Sequence, residues 1–394
     1  MQKLSLKIFQ YLLTLTAIVL AVVSAVACVT YAPATALAEE TFSVEGKAAY
    51  LADYATGTVL YAKNEHDRLP IASMVKIMTA LLTVEAVDAG ELSLDEEVFV
   101  SENAAGMGGS QVFLDANTRH KAGDLLKSVI VASANDSCVA LAERICGSTE
   151  GFVKRMNARA AELGMKDTHF ANCTGLPAAE GFSSAHDVAV MFGELIRHPV
   201  YFDFSKIWLE DYVHPDGRTT SMTNTNKLVR FYNGCDGGKT GFTSEAKFCL
   251  AATAQRDGMR VIAVEIGGDS SQGRFNAVSS MFNHAFGNYE VKTLLRAGDP
   301  VENYVKVSAG KKKNVELTVN KDVAVFGERG NSSEYELKFE LPEKIKAPVT
   351  KGDVVGKGYI VRDGEVTGEF EVVAAEDVKR ASLLDLIRRI GSRH

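Results

Sequence analysis

The chain has 394 residues, 46% hydrophobic and 24% charged, the make-up of a globular protein with room for two domains. Its net charge of −7 offers no basic surface for a nucleic-acid partner. Eight histidines and six cysteines show no metal-ligand spacing, so nothing here calls for a metal or a cofactor.

Residues 1–38 read as a secretory signal peptide. Lys3 and Lys7 form a charged front, residues 11–27 a nearly continuous apolar run, and Ala36-Leu37-Ala38 a small-residue cleavage site before Glu39. The run is also long enough for an uncleaved anchor, and Cys28 after Ala-Val-Ala is an imperfect lipoprotein signal. All three readings export the chain. Beyond the leader remain Cys138, Cys146, Cys173, Cys235 and Cys249, an odd number that argues against a disulfide framework. A Cys235–Cys249 bridge between neighbouring strands is one pairing left open; buried free thiols are the expectation.

Residues 47–62 spell a hairpin around Tyr54-Ala55-Thr56-Gly57. The following stretch, Pro70-Ile71-Ala72-Ser73-Met74-Val75-Lys76, predicts a helix start, continued by the apolar spacing of Ile77, Met78, Leu81, Leu82 and Val84. Ser73 and Lys76, three apart, share one helical face. A serine there has its N–H among the unpaired donors of a first turn, and a lysine one turn on can act as its base if its pKa is lowered. Two further Ser-x-x-Lys pairs, Ser244/Lys247 and Ser308/Lys311, sit in strand-like and turn-like context. The middle of the chain predicts helices over 122–146, 151–163 and 184–196. A polar corner at 132–136 interrupts the first, and a loop at 175–182 separates the last two. Strands return at 236–242, 246–254 and 259–267, with Arg256-Asp257-Gly258 as a hairpin turn, before a closing helix at 274–286. Strands at both ends with helices between predict an α+β fold: an antiparallel sheet completed by the two ends and covered by helices.

From about residue 299 short alternating runs at 315–319, 323–326, 335–339 and 369–373 predict a small all-β domain, a spacer or docking unit. Residues 378–390 are helix-like, with Leu383, Leu384, Leu386, Ile387 and Ile390 on one side and Lys379, Arg380, Arg388, Arg389 and Arg393 around it. That is the pattern of an interfacial helix on an anionic membrane surface, or of a helix packing on its own domain. The expected division is 1–38 signal peptide, 39–292 helix-and-sheet domain, 293–374 β-rich domain and 375–394 amphipathic helix.

Two more motifs join Ser73-x-x-Lys76. Ser133-Ala134-Asn135 falls in the polar corner, and Lys239-Thr240-Gly241 in a strand after Gly237-Gly238, where backbone could approach a ligand closely. The serine motifs are weak alone, since Ser101-Glu102-Asn103 is a second Ser-x-Asn and about one or two Ser-x-x-Lys are expected by chance, whereas Lys-Thr-Gly is rarer, with about a tenth of a match expected. In this order in one exported domain they resemble the serine DD-peptidases of the penicillin-binding protein and class A β-lactamase superfamily. Leu69-Pro70-Ile71-Ala72-Ser73-Met74-Val75-Lys76, Ser133-Ala134-Asn135-Asp136-Ser137-Cys138, Thr223-Asn224-Thr225-Asn226-Lys227-Leu228 and Asp236-Gly237-Gly238-Lys239-Thr240-Gly241-Phe242-Thr243 are similar to the low-molecular-mass D-alanyl-D-alanine carboxypeptidases.

The resemblance implies a transpeptidase-like domain and a set of roles. Ser73 would attack the bond between the terminal D-alanines of a peptidoglycan stem peptide, with Lys76 as base and Ser133 as proton relay. Asn135 would hold the substrate amide and orient Lys76. Lys239 and Thr240 would bind the terminal carboxylate, Gly241 would let the strand lie close, and backbone N–H groups of Ser73 and Phe242 would hold the oxyanion, leaving the Phe242 side chain unrestricted. β-Lactams would acylate Ser73. The mature chain is expected at the outer face of the cytoplasmic membrane. A β-lactamase or a DD-endopeptidase of the same superfamily is the alternative, and a non-catalytic cell-wall binding protein a further one. The chain lacks the Glu-x-x-Leu-Asn loop of class A β-lactamases, which favours slow drug hydrolysis and leaves the deacylation base unassigned, with Lys76 as the candidate.

Overall fold

The computed structural model describes residues 42–331, 334–382 and 385. The segment read as a signal peptide and the apolar part of the amphipathic tail lie outside the described residues.

Six successive buried residues, Ala48–Asp53 (β1), form the kind of strand that a sheet covered on both faces requires. The chain turns back where the Asp53 carboxylate accepts from the Thr56 N–H and hydroxyl, and Val59–Lys63 (β2) follows as a partly exposed edge. After the helical middle come Cys235–Thr243 (β3), Lys247–Arg256 (β4) and Met259–Gly268 (β5). The sheet order is β2-β1-β5-β4-β3, antiparallel throughout, with Tyr50 opposite Val264 and Gly241 opposite Cys249. The turn between β4 and β5 places Asp257 and Gly258 at φ 47° and 81°, as a two-residue hairpin of this twist demands.

The longer helices among the described residues are Lys76–Asp88 (α1), Ala122–Val131 (α2), Asn135–Cys146 (α3), Thr149–Glu162 (α4), Ala185–Leu195 (α5) and Ser271–Asn288 (α6). Ile77, Met78, Ala80, Leu81, Leu82 and Val84 bury α1 on nearly every side, so it is the central helix, packed against α2, α3, α4 and α5. Serine side chains cap three of the others: Ser148, Ser184 and Ser270 accept from the N–H groups of Gly151, Asp187 and Gly273. On the sheet, α5 covers β1 and β5, and α6 covers β4 and β5.

The second core is built from alternating valines and leucines. Tyr289–Leu295 (β6) leaves α6 directly and pairs with Val323–Glu328 (β9). Pro300–Ser308 (β7), Asn314–Val319 (β8), Tyr335–Glu340 (β10), Lys344–Lys346 (β11), Val354–Arg362 (β12) and Glu365–Ala374 (β13) make a sheet in the order β10-β12-β13-β8-β7-β11. Val305, Val315, Leu317, Val319, Val372 and Ala374 form its buried side.

The structure adds strands that the pattern did not reveal. In β12, Gly356 and Gly358 break the alternation; a side chain at Gly358 would stand in the ring of Phe370, 2.1 Å from it. The exposed hairpin of Leu209–Val213 and Thr219–Thr223 buries only Tyr212 and Met222 and so carries little hydrophobic signal. The helix read from Val378 does not begin there. Val378 is buried and pairs with Val349, and Arg380 pairs with Gly310, so residues 378–380 are extended chain stitched to the β-rich unit.

Candidate active site

The serine does not lie in the first α-helical turn, as expected, but in a 3-10 turn, Ala72–Val75, from which α1 continues with Lys76. A 3-10 turn eclipses residues three apart. The Lys76 Nζ accordingly lies 3.0 Å from Ser73 Oγ, and it donates to the Thr174 carbonyl at 2.5 Å. Two glycines hold this turn from either side. Gly175, at φ 77°, touches Ala72, which is itself left-handed at φ 48°; a Cβ on Gly175 would stand 2.0 Å from the Ala72 carbonyl oxygen. A Cβ on Gly241 would stand 2.6 Å from the Ile71 carbonyl and 3.3 Å from Ser73 N. Strand β3 and the 172–175 loop can close on the serine only because neither carries a side chain at these points.

Ser133 joins α2 to α3 in a left-handed conformation, φ 64°. Asn135 opens α3, with its N–H on the Ser110 carbonyl and its Nδ2 donating to Gly108 O at 2.7 Å. Ser133 Oγ and Asn135 Oδ1 are buried and have no hydrogen-bond partner among the described residues. Beneath them the Asp136 carboxylate accepts from the N–H groups of Val112 and Leu114 and pins the 108–114 segment to α3; burial pushes this carboxyl up. The resemblance assigned the orienting of Lys76 to Asn135. In the structure the hydrogen-bond partners of Lys76 are Ser73 and the main-chain oxygen of Thr174, the latter a contact that no side-chain motif can announce.

Lys239 and Thr240 are both buried on β3, and Lys239 Nζ donates to the Thr240 carbonyl at 3.0 Å. The preceding Gly237-Gly238 does not open the strand to a ligand. Cβ atoms there would meet Tyr201 at 2.8 Å and Asn226 Nδ2 at 2.5 Å, so these glycines admit protein groups that brace the strand. The Tyr201 hydroxyl accepts from Gly238 N–H at 2.9 Å, and Asn226 Nδ2 donates to Gly237 O. Phe242 is half-exposed, yet its ring lies on Phe248 with centroids 4.4 Å apart, so its side chain has a packing partner.

Burial holds Lys76 below the ordinary lysine pKa of 10.5. It holds Lys239 well below that value, and the nearby Lys76 charge acts in the same direction. The five described cysteines are free thiols, and burial pushes Cys173 up to about 11, which keeps it unreactive. The other Ser-x-Asn match is structural: Ser101 caps the short helix Glu102–Ala105, and Asn103 donates to Glu143. Glu85, Glu194 and His198 approach one another closely enough for a metal ion, but Arg159 already bridges the two carboxylates at 2.8 and 3.1 Å and His198 pairs with Asp88.

The chain carrying this site is similar to known proteins over most of its length. The family model described as D-alanyl-D-alanine carboxypeptidase covers residues 34–270, more than half the chain. The chain belongs to the D-alanyl-D-alanine carboxypeptidase family. Residues 289–380 match the C-terminal domain of penicillin-binding protein 5. The D-alanyl-D-alanine carboxypeptidase DacF of Bacillus subtilis is 41% identical over 347 residues, covering 88% of this chain and 89% of its own. Penicillin-binding protein 5 from Haemophilus influenzae superposes with a TM-score of 0.66 at 31% identity, over 86% of this chain and 99% of that one. Penicillin-binding protein D2 from Listeria monocytogenes, solved in its ampicillin-bound form, has a TM-score of 0.56 at 30% identity, over 62% and 99%. This carboxypeptidase is thus a serine-type peptidase with a transpeptidase-like fold and an all-β C-terminal unit.

The contact between Gly175 and Ala72 yields a prediction for the carboxypeptidase. Gly175→Ala strains a left-handed residue and drives a methyl into the Ala72 carbonyl, so both stability and penicillin acylation fall. The expected loss of stability is about 1–3 kcal/mol, read from the urea midpoint. An unchanged midpoint and acylation rate would refute the clamp.

Proposed function

We propose that the carboxypeptidase removes the terminal D-alanine from peptidoglycan stem pentapeptides through an acyl-enzyme on Ser73. The observation that carries this is the buried Lys76 amine, 3.0 Å from Ser73 Oγ and tethered to Thr174 O. Burial lowers the pKa of the amine and so favours its neutral form, which can accept the serine proton while still donating to Thr174. Ser73 then attacks the carbonyl between the two D-alanines, and the N–H groups of Ser73 and Phe242 receive the oxyanion. Ser133 relays a proton to the departing D-alanine amine. Water hydrolyses the ester with Lys76 again as base.

Asn135 takes the substrate amide. The buried Oδ1 of Asn135 and Oγ of Ser133 without protein partners favour this, since such atoms are costly unless substrate or solvent pairs them. Lys239 and Thr240 take the terminal carboxylate. Lys239 is held well below its ordinary pKa, and an arriving anion stabilises its protonated form, so carboxylate recognition and charging of Lys239 are coupled. Gly241 keeps the strand within reach of the scissile bond. A β-lactam presents the same acyl group and carboxylate and acylates Ser73; the Listeria relative bound to ampicillin supports this. Export by residues 1–38 and attachment of the C-terminal helix to the outer membrane surface complete the reading. No helix among the described residues is long and apolar enough to cross a membrane. A surface attachment predicts that chains ending at residue 382 fail to float with anionic vesicles while full-length mature chains do so.

Intact-protein mass spectrometry with penicillin tests the nucleophile: one adduct on the wild type, none on Ser73→Ala. Release of free D-alanine from a pentapeptide separates carboxypeptidase from endopeptidase action, which frees none. The pH profile tests the base. Protonation of Lys76 removes it, so the acylation rate falls as pH drops through a pKa below 10.5. A profile that rises toward acid would rule out a neutral Lys76.

A further inference from the structure

Helix α6 brings to the site a charged side chain that none of the three motifs contains. Arg274 Nη1 donates to the Gly241 carbonyl at 2.9 Å and, at 3.4 Å, to that of Cys249, the residue opposite on β4. The guanidinium lies by two aromatic rings, 5.5 Å from the centroid of Phe248 and 5.0 Å from that of Phe275. Among the described residues it forms no ion pair, and its Nε is buried without a partner. A half-buried cation aimed at a main-chain carbonyl is a costly arrangement for packing alone.

The carbonyl it holds is one end of a peptide unit whose other end is Phe242 N–H. In a trans peptide the two point in opposite directions. With Gly241 C=O turned toward Arg274, Phe242 N–H is turned the opposite way on β3, the edge strand against which the 3-10 turn packs. We propose that Arg274 is a positioning residue for acyl transfer: it fixes the plane of the Gly241–Phe242 peptide and polarises it, making Phe242 N–H a stronger donor to the oxyanion. The inference rests on the assignment of Ser73 as nucleophile with Ser73 and Phe242 N–H groups as the oxyanion donors. A charged donor on a carbonyl strengthens the hydrogen bond made by the N–H of the same peptide, because chains of hydrogen bonds polarise one another. The two rings and the bond to Cys249 O limit the guanidinium to this one direction.

The test is the ester carbonyl stretch of the penicillin acyl-enzyme in the infrared, together with acylation kinetics, for wild type, Arg274→Ala and Arg274→Lys. Loss of a whole oxyanion donor costs about 10²–10³-fold in rate. Weakening one donor should therefore lower the acylation rate constant by roughly 10-fold, move the ester band to higher wavenumber, and leave the penicillin concentration for half-maximal rate nearly unchanged. Arg274→Lys, which keeps a cation, should recover part of both effects. An unmoved band with an unchanged rate would overturn the role of Arg274 while leaving Ser73 intact. So would a loss confined to the half-saturating concentration, which would make Arg274 a ligand of the substrate carboxylate instead. Lowered thermal stability with an unmoved band would reduce it to a structural residue. Absence of any acyl-enzyme on the wild type would overturn the nucleophile assignment, and this inference with it.

Discussion

A lysine amine buried against a serine hydroxyl is the constraint on which this structure depends. Enclosure lowers the pKa of Lys76, and enclosure without partners would be prohibitive, so its bonds are to Ser73 and to one carbonyl oxygen. The enclosing elements come from separate parts of the chain: the central helix α1, the start of α3, the 172–175 loop and strand β3. Where they converge there is no room for ordinary side chains. Gly175 and Gly241 occupy the two points of closest approach, and Ala72 and Ser133 accept left-handed backbone. Strain gathered at such a point has to be held by its surroundings, here the wholly buried α1 and the braces that Tyr201 and Asn226 place on β3.

Much of this was legible in the sequence because it rests on period and punctuation. The hairpin at β1, the helix after Ser73, the corner at Ser133 and the three late strands all announce themselves by alternation, apolar spacing or turn residues. The chemistry-bearing side chains were legible for a different reason: Ser-x-x-Lys and Ser-x-Asn are each common, but together with the rarer Lys-Thr-Gly, in this order, they are not. What stayed hidden are contacts made by main chain or made for packing. Thr174 acts through its carbonyl, Gly175 through the side chain it lacks, and Arg274 through a helix that looks ordinary in sequence. Gly237-Gly238 misled in the opposite sense. Glycines in a strand signal close approach but not of what, and here the approaching groups are a tyrosine and an asparagine of the protein itself.

The β-rich unit follows the same logic with less at stake. Its valines alternate well enough to be seen at β8, but β12 carries glycines that make room for Phe370, and the pattern dissolves there. Val378 shows how a strongly apolar position can be read with the wrong period. It fits the helical spacing of the tail that follows, but its side chain is already committed to the β core and its backbone to Val349.

The pairing of β1 with β5 has a consequence for the life history of the enzyme. Gly46 N–H meets the Glu265 carboxylate across 219 residues, and β1 lies between β2 and β5 rather than at an edge. A sheet closed by contacts so distant in sequence cannot form until nearly the whole domain is available, and such topologies fold slowly. Ser73 and Lys76 emerge early in synthesis, but Gly241, the strand that flanks them and the helix that steadies it come almost last. A partly made chain therefore holds Ser73 and Lys76 without the strand that closes on them, and the site is assembled only when folding of the domain is complete.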